Sequence, residues 1–149
     1  MPIRCEIVSQ DRLVFEGDAD MIIVPGILGE MGILPNHAPL LSSLKMGILR
    51  VRTQGKEEHF TVSGGVIEVQ PDLVTVLADA AENVMEIDVA RAEAAKMRAE
   101  EMLAQGPGPD MDTFLELEAA LKRSNLRLEA ARRFRGQSRD YAYRSKEEA

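Results

Sequence analysis

At 149 residues, with a formal net charge of −7 and a single cysteine, the chain fits one ordinary domain or a small domain with an appendage. Cys5 alone excludes an internal disulfide framework and a cysteine-based zinc site, so the chain is expected to be intracellular. All the excess acid lies in residues 1–87, a poor surface for nucleic acid, whose binding leans on Lys and Arg to neutralise phosphates.

No stretch approaches the roughly 20 apolar residues of a membrane span. The opening Met1-Pro2-Ile3-Arg4-Cys5-Glu6 has no signal-peptide apolar region either, so membrane association is expected only through a partner. Ile3, Cys5 and Ile7 alternate with Arg4 and Glu6, the period of a strand with one buried face, and Leu13 and Phe15 repeat it. Met21-Ile22-Ile23-Val24 is a continuous apolar run closed by Pro25-Gly26, which predicts a more deeply buried strand. Gly26, Gly29 and Gly32 form Gly-x-x-Gly-x-x-Gly with no helical pattern behind it, so the spacing predicts a loop or tight turn and not a dinucleotide site. Pro35 and Pro39 fix an extended turn around His37, which lacks a nucleophile or acid nearby in sequence and reads as structural.

Further strands are predicted at residues 48–52, 58–62, 66–70 and 73–78, with turns at Gln54-Gly55, Gly64-Gly65 and Pro71-Asp72. His59 alternates with Phe60 and is expected to face water. Many short strands with no helix between them indicate an antiparallel sandwich or barrel over residues 1–85. The period changes at Glu86-Ile87-Asp88-Val89-Ala90-Arg91-Ala92, where Asp88 is a good N-cap. Ala92, Ala95, Ala99 and Met102 then form a narrow helical seam, and Gly106-Pro107-Gly108-Pro109 ends that helix. Asp110 or Asp112 caps a second helix whose seam is Phe114, Leu117, Leu121, Ser124, Leu128 and Ala131. Residues 86–149 therefore read as an antiparallel two-helix hairpin with a charged tail. Its seam of alanines and a serine removes little apolar area from water, so the pairing is expected to be loose.

Arg91 and Arg98 share one face of the first helix, and Arg123 and Arg127 share one on the second. Guanidiniums gathered in one place need acids or an anion, and a polyphosphate suits their fork geometry. The plainer reading is solvated faces, with Arg91 paired to Asp88, Arg98 to Glu101, and Arg132 or Arg133 to Glu129. From Lys122 to Arg139 seven basic residues face Glu129 alone, which suits an acidic protein partner.

From Ile3 to about Phe134 the sequence resembles the epsilon subunit of bacterial F-type ATP synthase. The resemblance is carried by residues 29–40 (GEMGILPNHAPL), 63–69 (SGGVIEV), 74–79 (VTVLAD) and 87–92 (IDVARA), in this order and spacing. It implies a flattened antiparallel sandwich of about ten strands followed by the hairpin. It also implies a non-catalytic rotor subunit that binds gamma, rests on the ring of c subunits through Glu30, Met31, Gly32 and Ile33, and transmits rotation. The implied place is the cytoplasmic face of the bacterial plasma membrane, with no cofactor required. In this family the folded hairpin permits ATP hydrolysis, whereas the extended one reaches the alpha and beta subunits and inhibits it. The Ile/Leu-Asp-x-x-Arg-Ala motif of members that bind ATP is matched by Ile87, Asp88, Arg91 and Ala92, with Glu82, Arg98, Arg123 and Arg127 at the associated positions. ATP is thus implied as a regulatory ligand. The proline-rich turn at residues 106–109 is stiffer than the resemblance implies, and the tail from Arg135 lies beyond it. Two other readings stand beside this one: a free-standing ATP-sensing adaptor, and a small β-barrel enzyme using His37 and Glu30.

Overall fold

A computed structural model describes residues 1–106, 108 and 110–135. Pro107 and Pro109, on which the expectation of a stiff turn rests, and the tail beyond Arg135 fall outside the described residues. The strands are β1 (Ile3–Val8), β2 (Leu13–Ala19), β3 (Met21–Gly26), β4 (Gly29–Ile33), β5 (Leu40–Thr53), β6 (Lys56–Val69), β7 (Leu73–Ala78) and β8 (Ala81–Asn83). A single 3-10 turn, Val84–Glu86, leads to α1 (Val89–Ala104) and α2 (Met111–Phe134).

The strands run β2-β1-β7-β6-β5-β3-β4, with β8 also on β6; all pairings are antiparallel except β1 with β7. Two long strands make this ribbon a sandwich. In β6, Phe60–Val62 pairs with β8, while Gly65–Val69 pairs with β7. Both β5 and β6 therefore serve two layers, and β5 carries a register shift against β3 between Ile23 and Gly26. Side chains that alternate inward from both layers fill the core: Ile3, Cys5 and Ile7 from β1, Ile22 and Val24 from β3, Leu49 and Val51 from β5, Phe60, Val62 and Ile67 from β6, and Val74 and Val76 from β7. Phe15 meets Phe60 edge-to-face at 5.5 Å between centroids. Burying each large branched side chain is worth roughly 1.5–3 kcal/mol, which is why this period dominates the first part of the sequence.

Three local expectations change. The Gly26–Gly32 stretch is a hairpin: Gly26 pairs with Gly29 around Ile27-Leu28, and Met31 and Ile33 alternate toward the core opposite Val24 and Ile22. Glycine density concealed that alternation. Gly64-Gly65 is not a turn; β6 passes through it while exchanging β8 for β7 as its neighbour. The 58–62 and 66–70 strands are one strand of 14 residues; with β5 and β6 each spanning both layers, the eight strands agree with the expected sandwich of about ten. Gln54-Gly55 does form the expected turn, with Thr53 paired to Lys56.

The hairpin forms as its spacing predicts, with Asp110 and not Asp112 as the cap of α2. Asp110 accepts from the Asp112 amide at 3.0 Å and from the Thr113 hydroxyl at 2.8 Å. Ala92, Ala99, Ser124 and Ala131 are buried along the seam, and Ser124 returns its hydroxyl to the Ala120 carbonyl. Met102 departs from the expected seam and is 49% exposed. The second helix has 24 residues against 16 in the first, an excess of about 12 Å. Its last turns thus reach the sandwich, where Ala130, Ala131 and Phe134 pack with Val84 and Ile87. Among the described residues no helix is long and apolar enough to cross a membrane.

Candidate functional site

Glu82, Ile87, Arg123 and Arg127, singled out by the sequence, lie where α2 returns to the sandwich. The backbone at Asp88 is extended (φ −82°, ψ 99°), and its side chain accepts from the Arg91 amide at 3.0 Å. Asp88 thus caps α1 through the Arg91 backbone. Replacing it with alanine is expected to cost about 1 kcal/mol of α1 stability, read as faster amide exchange in the first turn, while Asp88→Asn keeps most of it. Ile87 lies in the small core beneath α2, and the Arg135 guanidinium donates to its carbonyl oxygen. Ala92 is fully buried against the neighbouring helix.

Glu82 and Arg127 form a two-pronged ion pair between β8 and α2. Nε donates to Oε2 at 2.8 Å and Nη2 to Oε1 at 3.1 Å, with each side chain about a quarter exposed. This parallel fork is the strongest geometry a carboxylate and a guanidinium can adopt. The pair borders a cleft of about 260 Å³ also lined by Arg12, Thr61, Ser63 and Arg123. Three guanidiniums and two hydroxyls therefore surround one carboxylate, an arrangement that suits an added anion. Arg12 came from neither helix and was missed by the sequence reading, because only the fold brings the β1–β2 turn to α2; it also lies 3.5 Å from Glu86. Arg91 and Arg98 are exposed on α1 and do not line this cleft. Of the local pairings weighed on the helices, Arg133 with Glu129 forms at 3.7 Å.

Beside the cleft, His59 corrects the expectation that it faces water: it is 6% exposed, because the Phe134 ring stacks on it with centroids 4.1 Å apart. Sheet alternation alone turns His59 outward; the end of α2 then covers it. Its Nε2 bonds to Glu57 Oε1 at 2.7 Å, and Arg52 donates to Glu57 Oε2 at 2.6 Å. Burial pushes the Glu57 carboxyl up, but hydrogen bonds from Arg52 and His59 outweigh it and hold the group below the usual carboxylate range.

Glu30, Met31, Gly32 and Ile33 lie on β4, and Glu30 shares a groove with Arg50, Glu129, Arg133 and Phe134. Glu30 pairs with Arg50 at 3.1 Å, Met31 packs on the core, and Ile33 is fully buried. The exposed apolar groups here are instead Ile27 and Leu28 at the β3–β4 tip, Leu28 completely so, which the sequence reading did not single out. His37 donates through Nδ1 to the Ala38 carbonyl oxygen at 2.7 Å, a turn contact with no carboxylate in it. Among the described residues no cluster of three or more His, Cys, Asp or Glu could hold a metal ion. Burial pushes the Cys5 thiol up to about 12, with Glu6 adding to it, so it is a core side chain and not a nucleophile.

Comparison with known proteins accounts for both halves. Residues 2–84 match the β-sandwich domain of the ATP synthase delta/epsilon chain, and residues 85–132 match its long α-helix domain. The ATP synthase epsilon chain of Pelotomaculum thermopropionicum is 55% identical over 102 residues, covering 68% of this chain and 76% of that one. The epsilon chain of Dehalococcoides mccartyi is 46% identical over 133 residues, covering 89% and 94%. A chain in the cryo-EM structure of the Euglena gracilis mitochondrial ATP synthase, a complex of OSCP, F1 and c-ring, superposes with a TM-score of 0.70 at 28% identity, covering 87% of this chain and 81% of that chain. With both domains matched in order, the chain belongs to the delta/epsilon family of ATP synthase chains, which are non-catalytic subunits of that complex.

Proposed function

We propose that the chain sits on the central rotor of a bacterial F-type ATP synthase, peripheral to the cytoplasmic face of the plasma membrane. The sandwich binds gamma and rests on the c ring through the β3–β4 end, where Glu30 to Ile33 and the apolar tip Ile27-Leu28 lie. The likeness to a chain solved together with F1 and a c-ring supports this placement. The hairpin acts as a brake: folded, it leaves hydrolysis free; extended, it carries Lys122, Arg123, Arg127, Arg132 and Arg133 to acidic surfaces of the alpha and beta subunits and stops it.

One observation carries the brake reading. The end of α2 is held on the sandwich by a small apolar patch and the Glu82–Arg127 pair, while the helix seam is mostly alanine and serine. Such a joint separates two states by little free energy, and a ligand that binds one of them shifts the population. ATP is the proposed ligand of the folded state. Arg91, Arg98, Arg123 and Arg127 would meet its phosphates, and Glu82 would yield Arg127 as the polyphosphate arrives. Ile87, Asp88 and Ala92 shape the adenine end, the two apolar residues by fixing the backbone, since their side chains are buried.

Calorimetric titration of the full chain with ATP, beside Arg91→Ala and Arg123→Ala, tests this. Saturable one-to-one binding is expected, weakened about tenfold or more in each variant, with capture of gamma unchanged. Absence of binding at millimolar ATP would sink the ATP gate. Equal loss of gamma capture in the variants would show that the surfaces are wrongly assigned, and ATP binding by a chain that captures no gamma would favour the free-standing sensor.

A further inference from the structure

We infer that His59 is a proton-sensitive latch for the hairpin: neutral, it lets Phe134 seat on the sandwich, and protonated, it favours release of α2. The inference rests on the reading of the hairpin as an element with a folded and a released position, and it adds the proton as a second ligand of that equilibrium.

The geometry is that of an interface closed over a titratable ring. His59 and Phe134 are 6% and 8% exposed, and their rings stack at 4.1 Å with 20° between planes. A cavity of about 160 Å³ beside them is lined by Glu58, Asn83, Val84 and Met85. The histidine's own strand supplies Glu57 and Glu58, β5 supplies Arg50, Arg52 and, along the groove beside Phe134, Lys45, and β4 supplies Glu30, which holds Arg50 at 3.1 Å. The segment Asn83–Met85 supplies none. From α2 come Glu129 and Arg133, paired at 3.7 Å, and at its C-cap Arg135, which donates to the Met85 and Ile87 carbonyl oxygens.

Glu57 would welcome a charged imidazole, but its carboxylate already holds Arg52 at 2.6 Å and has Arg50 at 4.0 Å. The Phe134 face is not free either, because the Arg133 guanidinium lies 4.9 Å from that ring centroid. A second cation against the same ring adds repulsion that offsets the cation–π attraction, itself worth about 0.5–1 kcal/mol at an exposed site. Burial above all, together with Arg50 and Arg133, lowers the affinity of His59 for a proton despite Glu57.

Two of these effects belong to the docked state alone. When α2 leaves, Phe134 uncovers the ring and Arg133 departs, so the released state binds the proton more tightly. Docking is then strongest above the released-state pKa of His59 and weakens as the pH falls through it. Acidification would release the hairpin into its extended, inhibitory position.

The test uses the full chain with spin labels at Asp72→Cys and Lys122→Cys; Cys5 stays buried and unlabelled. Distances are measured from pH 7.5 to 5.5 without nucleotide, and again at pH 7.5 with ATP. The ratio of released to docked chains is expected to rise at least about threefold on acidification, and to stay flat in His59→Gln, whose amide can still reach Glu57. An equal rise in His59→Gln would overturn the latch. So would an NMR titration of the His59 ring in the native chain with a midpoint at or above the ordinary histidine value while α2 remains docked. A pH response without any ATP response would overturn the ATP gate and leave the latch standing; an ATP response without a pH response would do the reverse.

Discussion

Replacing Gly65 with alanine is expected to lower the stability of the sandwich by about 3 kcal/mol or more, and its melting temperature by on the order of 10 °C. Two costs coincide there. Gly65 has φ +127°, where an L side chain is strained, and a Cβ would lie 2.2 Å from the Leu77 carbonyl oxygen and 2.8 Å from the Ala78 Cα. Both neighbours are backbone atoms of β7, which is paired to Gly65 itself, so neither can swing aside as a long side chain would. Gly29 provides the control: it has φ +136° but nothing within 4 Å of an added Cβ. Gly29→Ala should therefore show only the local strain, about 1–2 kcal/mol. Thermal melts of the two variants separate close approach from backbone conformation. If they melt together, the proximity of β7 is not what excludes a side chain at Gly65.

Reversing the charge in Arg127→Glu is expected to release α2 from the sandwich, reducing the ratio of docked to released chains at least about tenfold. The wild-type contact is a parallel fork between partners that are each about a quarter exposed. Losing it costs on the order of 1–3 kcal/mol, discounted from the buried value for solvent, and two carboxylates facing each other add to that. Arg123, one turn earlier on the same face of α2, and Arg12 line the same cleft and offset part of this repulsion. The compensating exchange Glu82→Arg with Arg127→Glu should recover much of the docking, because the pair is restored with its direction reversed. Limited proteolysis of the basic second helix, or the label distance used for the latch, reads the outcome. A double variant as open as the single one would mean that the patch around Phe134 carries the docking without the ion pair. The same variants bear on nucleotide binding, because Arg127 cannot at once be held by Glu82 and grip a phosphate.

The period of the apolar residues determined most of the architecture. Ile3-Cys5-Ile7 and Val74-Val76 could only be half-buried strands, and Asp88 followed by a run of Ala, Glu, Lys and Arg could only open a helix. These are local preferences that each residue expresses within a few neighbours, so they are legible without a fold. Where glycines replaced side chains, as in Gly29–Ile33 and at Gly64-Gly65, the period was diluted and the strands were missed or cut. The arginine positions on each helix were also legible, because a helix fixes which residues share a face.

Contacts between distant segments were not. Glu82 and Arg127 are 45 residues apart, and nothing in either neighbourhood selects the other; the length of α2 and the angle of the hairpin bring them together. Arg12 reaches the same cleft only because the β1–β2 turn is carried there by the sandwich. His59 makes the distinction clearest. Its strand alone points it at water, and the sequence reading followed the strand, but the surplus turns of α2 lay Phe134 across it and turn a surface histidine into a buried, titratable joint. Strand and helix formation are decided by short-range periodicity, whereas burial of a polar ring is decided by which surface arrives from elsewhere in the chain, and only the tertiary structure contains that.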